Sequence, residues 1–124
     1  IYSDPYVLHA LVHNHMTKML TLRADQMRNG MHTMLEATDA PLAEAKRALA
    51  ERVEVVGLQA DFDGFCDQLE STFGWDLGSG PRLRWNKSLP AEADESLRAM
   101  IERDNAIDLE LYAFATSLVA HQLS

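Results

Sequence analysis

Arg82, Arg84 and Lys87 fall within six positions of one another in Arg82-Leu83-Arg84-Trp85-Asn86-Lys87-Ser88-Leu89-Pro90, the only basic concentration in the chain. Arginine presents a planar fork of donors and lysine a mobile point charge, so with Asn86 and Ser88 nearby they have the chemistry to grip a phosphate. The plainer reading is a solvated loop joining two helices, the usual fate of a short charge cluster. His9 and His13 are four apart, which on a helix puts them on one face, as a metal pair would be. His15 points elsewhere, however, and no Asp, Glu or Cys completes a ligand set at suitable spacing. Cys66, between Phe65 and Leu69, reads as a small buried apolar residue rather than a nucleophile. Asp104 and Asn105 sit where helix caps are common, and Tyr112 falls on an apolar helical face, where packing is the default role. No residue is assigned a catalytic or a metal-binding role on this evidence.

These residues need elements to position them, and one stretch organises the rest. Val53-Glu54-Val55-Val56-Gly57-Leu58 is a short β-branched run of the kind that fills a buried strand. After Gly57 the spacing turns helical, with Phe62, Phe65, Leu69 and Phe73 on one face. Asp61 is placed to cap that helix, Asp63 complements its dipole, Gly74 ends it and Trp75 folds back over its last turn. Upstream, apolar residues from Val7 to Met27 follow a 3.6-residue pattern that predicts one helix over Tyr6 to Met27, stopped or bent at Asn29-Gly30. Met31 to Leu35 is ambiguous between helix and loop, and the methionines at 16, 19, 27, 31 and 34 read as core filler. Thr38-Asp39-Ala40-Pro41 opens an amphipathic helix through Ala50, with Asp39 as the cap. Downstream, Gly78-Ser79-Gly80-Pro81 is turn chemistry. Two helices then run from Ala91 to Arg103, with Leu97, Met100 and Ile101 inward, and from Asn105 to His121, with Leu109, Tyr112, Ala113, Thr116 and Val119 along one side.

The sum is a mainly α chain of about five helices and one strand. A lone strand needs a partner for its backbone groups. Arg52–Leu58 therefore pairs with another molecule, as in a homo-oligomer, or with sister strands outside this sequence, unless the run is no strand at all. At 124 residues and 47% hydrophobic content the chain is one domain, or part of one, spanning 1–124. A net charge of −8 argues against a general nucleic-acid surface and against docking on anionic membrane. A single cysteine excludes an internal disulfide framework and fits a reducing compartment such as the cytoplasm better than an oxidising one. No run approaches the length of a membrane span and no signal-peptide pattern is visible. The chain begins at Ile1, which suggests a trimmed or incomplete product.

Several of these segments, in this order, resemble the C-terminal part of the carbohydrate-type sulfotransferases. The resemblance is carried by Asn14-His15-Met16-Thr17-Lys18-Met19-Leu20, similar to that family's Asn-x-x-Thr-Arg/Lys-x-Leu, and by Val55-Val56-Gly57-Leu58, Asp61-Phe62-Asp63-Gly64-Phe65 and Phe73-Gly74-Trp75. It continues through Arg82 to Ser88 and through Glu102-Arg103-Asp104-Asn105-Ala106-Ile107-Asp108-Leu109-Glu110-Leu111-Tyr112. It implies the C-terminal portion of a P-loop-like α/β fold and transfer of a sulfuryl group from 3′-phosphoadenosine-5′-phosphosulfate (PAPS) to an acceptor hydroxyl. Arg82, Arg84, Lys87 and Ser88 would then lie near the nucleotide's 3′-phosphate. The sequence departs from the family in lacking a Gly-rich phosphate loop, since Gly78-Ser79-Gly80 is not followed by Gly-Lys-Ser/Thr, and in lacking the general base. The chain is therefore expected to be inactive alone. The competing reading from another class is a stand-alone acidic helical module that binds a protein partner or a second copy.

Overall fold

A computed structural model describes residues 4–35, 39–80, 92 and 94–122. They form seven α-helices: α1 (Pro5–Val7), α2 (His15–Thr21), α3 (Met27–Gly30), α4 (Asp39–Glu51), α5 (Phe62–Phe73), α6 (Glu95–Asp104) and α7 (Ala106–Gln122). A π-helical turn over Leu8–Val12 follows α1, and a 3-10 turn over Gln59–Asp61 leads into α5. Among the described residues no helix is long and apolar enough to cross a membrane.

No strand occurs among the described residues, which corrects the expected strand and with it the α/β architecture. The run Val53 to Leu58 bends at Glu54, ends in an extended backbone at Leu58 and enters no ladder among the described residues. Its β-branched side chains pack on helices instead: Val56 is buried, and Val56, Gly57 and Leu58 lie with Phe65, Gln68 and Val119 around a small gap between α5 and α7. β-propensity describes a fit to a half-buried surface, and a helix face can supply that surface as well as a sheet can.

The single helix expected over Tyr6 to Met27 is broken at His13 and Asn14. Asn14 adopts a left-handed backbone (φ 44°, ψ 46°), which asparagine tolerates better than most residues. The π-helical turn closes just before it, where the His13 N–H donates to the Leu8 carbonyl at 2.8 Å. α2 then runs in a new direction and packs with α4 and α7 around Leu42, Ala45 and Leu111, joined by Leu20, Leu49 and Ile107. Ala45 has no exposed surface, and its small side chain lets the helices approach closely.

α5 forms as its sequence requires. The Asp61 carboxylate accepts from the Gly64 N–H at 3.1 Å, and Gly74 closes the helix at φ 67° with its N–H on the Glu70 carbonyl. Trp75 folds back onto Phe73, ring centroids 4.7 Å apart. Asp94 caps α6 through the Leu97 N–H. The predicted inward faces of the last two helices are only partly the inner ones: Met100 and Val119 are half-buried, Leu97, Ile101, Leu109 and Tyr112 are exposed, and α7 buries Asp108, Leu111 and Ala115. α7 is apolar nearly all round, so periodicity could not select its inner stripe. Met16, Met19 and Met34 are exposed rather than core filler, and Phe62 and Phe73 at the two ends of α5 are exposed as well.

Gly57 is a glycine because the Phe65 ring lies against it. A Cβ there would overlap that ring and come within 2.6 Å of the Phe65 Cβ. Gly57→Ala is expected to destabilise the fold by about 2 kcal/mol, the usual cost of overpacking. The check is the urea midpoint, which should fall, whereas an unchanged midpoint would mean that the ring turns aside freely.

Candidate functional site

The most organised polar chemistry in the molecule lies where α2 meets α7. The Asp108 carboxylate accepts from the Met16 N–H (2.9 Å), the Thr17 N–H (2.8 Å) and the Thr17 hydroxyl (2.6 Å). Those amides belong to the first turn of α2, which has no intrahelical acceptor for them, and the positive end of the helix dipole meets a full negative charge. Asp108 thus caps α2 from another helix. The exchange is mutual: the Asn14 side-chain oxygen accepts from the Asp108 N–H in the first turn of α7 at 3.1 Å. The Asn14 N–H in turn donates to the Asn105 side-chain oxygen at 3.0 Å. Asn105 completes its own set by donating to the Ile101 carbonyl at the end of α6.

Asn14, Thr17 and Asp108 are all buried, so the bonds among these three residues are made away from water. In such a setting a satisfied network is rigid and a broken one is costly. The left-handed backbone of Asn14 follows from its position, since it must end the preceding turn, start α2 and aim its amide at α7 together.

Lys18 is wholly buried and its ammonium donates to the His9 and Met31 carbonyls, the latter at 3.1 Å. His15 similarly pairs its Nδ1 with the Ala10 carbonyl at 3.2 Å. A π-helical turn leaves its last carbonyls without helical donors, and these two side chains satisfy them. Burial holds the Lys18 amine below its ordinary range, a shift that the Asp108 charge partly opposes. With no surface in solvent, Lys18 acts on the backbone and not on a substrate.

His13 is buried beside them. Its Nε2 faces the Leu35 N–H at 3.0 Å and the Asn14 amide nitrogen at 3.3 Å. Burial first, and then the Lys18 charge, push the imidazole below its usual pKa against the opposing pull of Asp104 and the backbone around it. His9 and His13 do not form a metal pair, because Nε2 of His13 is taken by donors. Among the described residues no group of three His, Cys, Asp or Glu side chains is placed to hold a metal. Cys66 is buried as expected. Asp104, at the end of α6, is buried with Arg103 on one carboxylate oxygen at 3.1 Å.

The predicted phosphate-gripping residues Arg82, Arg84, Lys87 and Ser88 lie outside the described residues. The turn just before them is described, and it is acidic: Gly78, Ser79 and Gly80 share a hollow with Asp67, Glu70 and Asp76. Glu70 accepts from the Leu77 N–H and Asp76 from the Gly78 N–H. A phosphate at these glycines would meet three carboxylates, so this hollow does not suit an anionic nucleotide.

Sequence reasoning singled out the segments of the network for their resemblance but missed its geometry. Asp108 sits among apolar residues of α7, where local pattern gives a carboxylate no role. The available signal was a matched spacing: Asn14 and Thr17, like Asn105 and Asp108, are three apart, and each residue of the first pair meets its counterpart 91 positions away. No protein-family model, no curated protein and no solved structure matches this chain.

Asp108→Ala would orphan three buried donors at once and is expected to cost about 3 kcal/mol or more. Asp108→Asn, which keeps an acceptor but loses the charge, should fall between. For Lys18 the folded state binds its proton less tightly than the unfolded chain, so stability should rise as pH climbs toward the ordinary 10.5. Lys18→Met should lose about 2 kcal/mol at neutral pH through the two orphaned carbonyls and should abolish that alkaline rise. Urea unfolding of both proteins across the alkaline range checks both statements.

Proposed function

We propose that this chain is a portion of a sulfotransferase that moves a sulfuryl group from PAPS to an acceptor hydroxyl, and that it is inactive by itself. One observation supports this reading above others: the two segments most distant in sequence that carry the resemblance, Asn14 to Leu20 and Glu102 to Tyr112, interlock through Asn14, Thr17, Asn105 and Asp108. Residues picked out by a pattern of types have no reason to meet unless the pattern reflects a shared construction.

Sulfuryl transfer asks for in-line positioning of donor and acceptor, cationic groups on the leaving phosphate and a base on the attacking hydroxyl. In this reading Arg82, Arg84, Lys87 and Ser88 hold the 3′-phosphate end of the donor. The clasp between α2 and α7 is the scaffold on which the chain is carried. The sequence contributes neither the loop for the 5′-phosphosulfate nor the base, and the chain therefore binds without turning over.

A second reading is favoured by a different observation. Leu11, Met16, Met19, Trp75, Leu109 and Tyr112 are all exposed, apolar side chains that a partner or a second copy could cover. That suits a helical module that self-associates or binds a protein partner.

Calorimetric titration with 3′-phosphoadenosine-5′-phosphate, with size measured by light scattering, separates the two. Saturable binding by a monomer supports the sulfotransferase reading, and a folded dimer without binding supports the module. In the complete enzyme, Arg84→Ala and Lys87→Ala should each raise the KM for donor roughly tenfold, the scale of one charge-assisted hydrogen bond. Unchanged donor kinetics would remove this stretch from the site.

A further inference from the structure

His13 reaches from the break between α1 and α2 to the link between α3 and α4. Its Nε2 is 3.0 Å from the backbone nitrogen of Leu35, which can only donate, and 3.3 Å from the Asn14 side-chain nitrogen. Nε2 is therefore the lone-pair nitrogen, and the proton of the neutral ring sits on Nδ1. Nδ1 is buried and has no partner among the described residues. A second proton has only one place to go, the nitrogen that now faces two donors. Adding it breaks both contacts.

We propose that His13 is a proton-operated latch that holds the Met31–Leu35 segment closed when neutral and releases it when protonated. The inference stands apart from the sulfotransferase reading and needs no nucleotide. Leu35 is the far end of a segment whose near end is secured differently: the His32 N–H and the Thr33 hydroxyl both bond to the Asn29 carbonyl. Release at Leu35 therefore swings the segment about α3. Leu35 also lines a surface groove with Thr21, Leu22, Arg23, Pro41 and Glu44, and that groove widens when Leu35 leaves.

The charges facing His13 set the direction. From α2, the buried Lys18 ammonium repels a second cation. From α6, Asp104 attracts one, with one buried oxygen unpartnered and the other held by Arg103. From α7, the Asp108 carboxylate is engaged by the start of α2. On its own turn, His9 lends its carbonyl to Lys18 and His15 is paired with Ala10. Burial and Lys18 outweigh the backbone around the ring and the Asp104 charge, which pull the other way, so the folded protein keeps His13 neutral to a lower pH than the unfolded chain does. The latch is fully closed above the ordinary 6.5 and opens as pH falls through the lowered value. Opening also strains the neighbouring contact, since Met31 in the same segment supplies one of the two carbonyls on Lys18.

The test is an NMR titration of the intact protein from about pH 7.5 downward to the onset of global unfolding, and a His13 ring that stays neutral throughout overturns the latch. It follows the His13 ring carbons together with exchange of the Leu35 amide, corrected for intrinsic exchange. Leu35 protection should fall by about tenfold or more, the scale of one pKa unit, with the same midpoint as His13, while amides in the middle of α4 and α7 stay protected. His13→Gln, which offers an acceptor oxygen that does not titrate, should lose the transition. His32→Asn should keep it, although His32 lies in the moving segment and stacks on Tyr6 at 4.5 Å. Leu35 protection that stays constant while His13 titrates overturns the latch, as does a transition that survives His13→Gln or disappears with His32→Asn. Should His13→Gln fail to fold, the wild-type midpoints alone decide.

Discussion

A carboxylate buried at the junction of two helices must be surrounded by donors, and Asp108 finds them only if the first turn of α2 is brought to it. Much of the fold follows. The chain before α2 must break, because a continuous helix from Tyr6 would satisfy the Met16 and Thr17 amides internally and leave the carboxylate bare. Asn14 takes up the break in a left-handed conformation and returns the capping interaction to α7. The two helices are thereby registered by directional bonds, and α4 closes over them with Leu42 and Ala45 against Leu111. Apolar contact gives the core most of its free energy, but it is non-directional and would tolerate a slide by one turn. The exchange of caps would not.

The π-helical turn is a second consequence. Five residues in that turn let the Leu8 carbonyl reach the His13 N–H, and the carbonyls of His9 and Ala10 are released from helical bonding. Side chains from α2, namely Lys18 and His15, take them up. A lysine without a carboxylate in contact is an expensive thing to bury. Its position is intelligible because backbone carbonyls are the groups that most need a donor there, and because Asp108 supplies a favourable field at longer range.

Legibility in the sequence followed the range of the interactions. α5 could be read almost to the residue, since Asp61, Gly74 and Trp75 act within a turn of the helix they bound. The break at Asn14 could not, because its cause lies in Asn105 and Asp108 on the far side of the chain, and local periodicity continues smoothly across it. The Val53 to Leu58 run has the composition of a strand, yet what it packs on is a helix face. On α7 the apolar residues surround the helix, and the polar Asp108 marks the buried side, the reverse of the usual rule. Of the candidate site, the residue types of the two segments are plain in the sequence, whereas their chemistry required seeing Thr17 and Asp108 within one hydrogen bond.

Where an anion could be held is narrowed by charge. The protein carries −8 overall, so a polyanionic ligand is repelled at long range and is held only where cations are dense enough to reverse the field locally. The buried cation cannot serve, since Lys18 is spent on backbone carbonyls. The glycines that precede the basic stretch cannot serve either, because Asp67, Glu70 and Asp76 surround them. In the sequence the densest such run is Arg82, Arg84 and Lys87, three cations within six positions. If a nucleotide phosphate is held there, as proposed, the acidic side of the preceding turn opposes its approach from that direction.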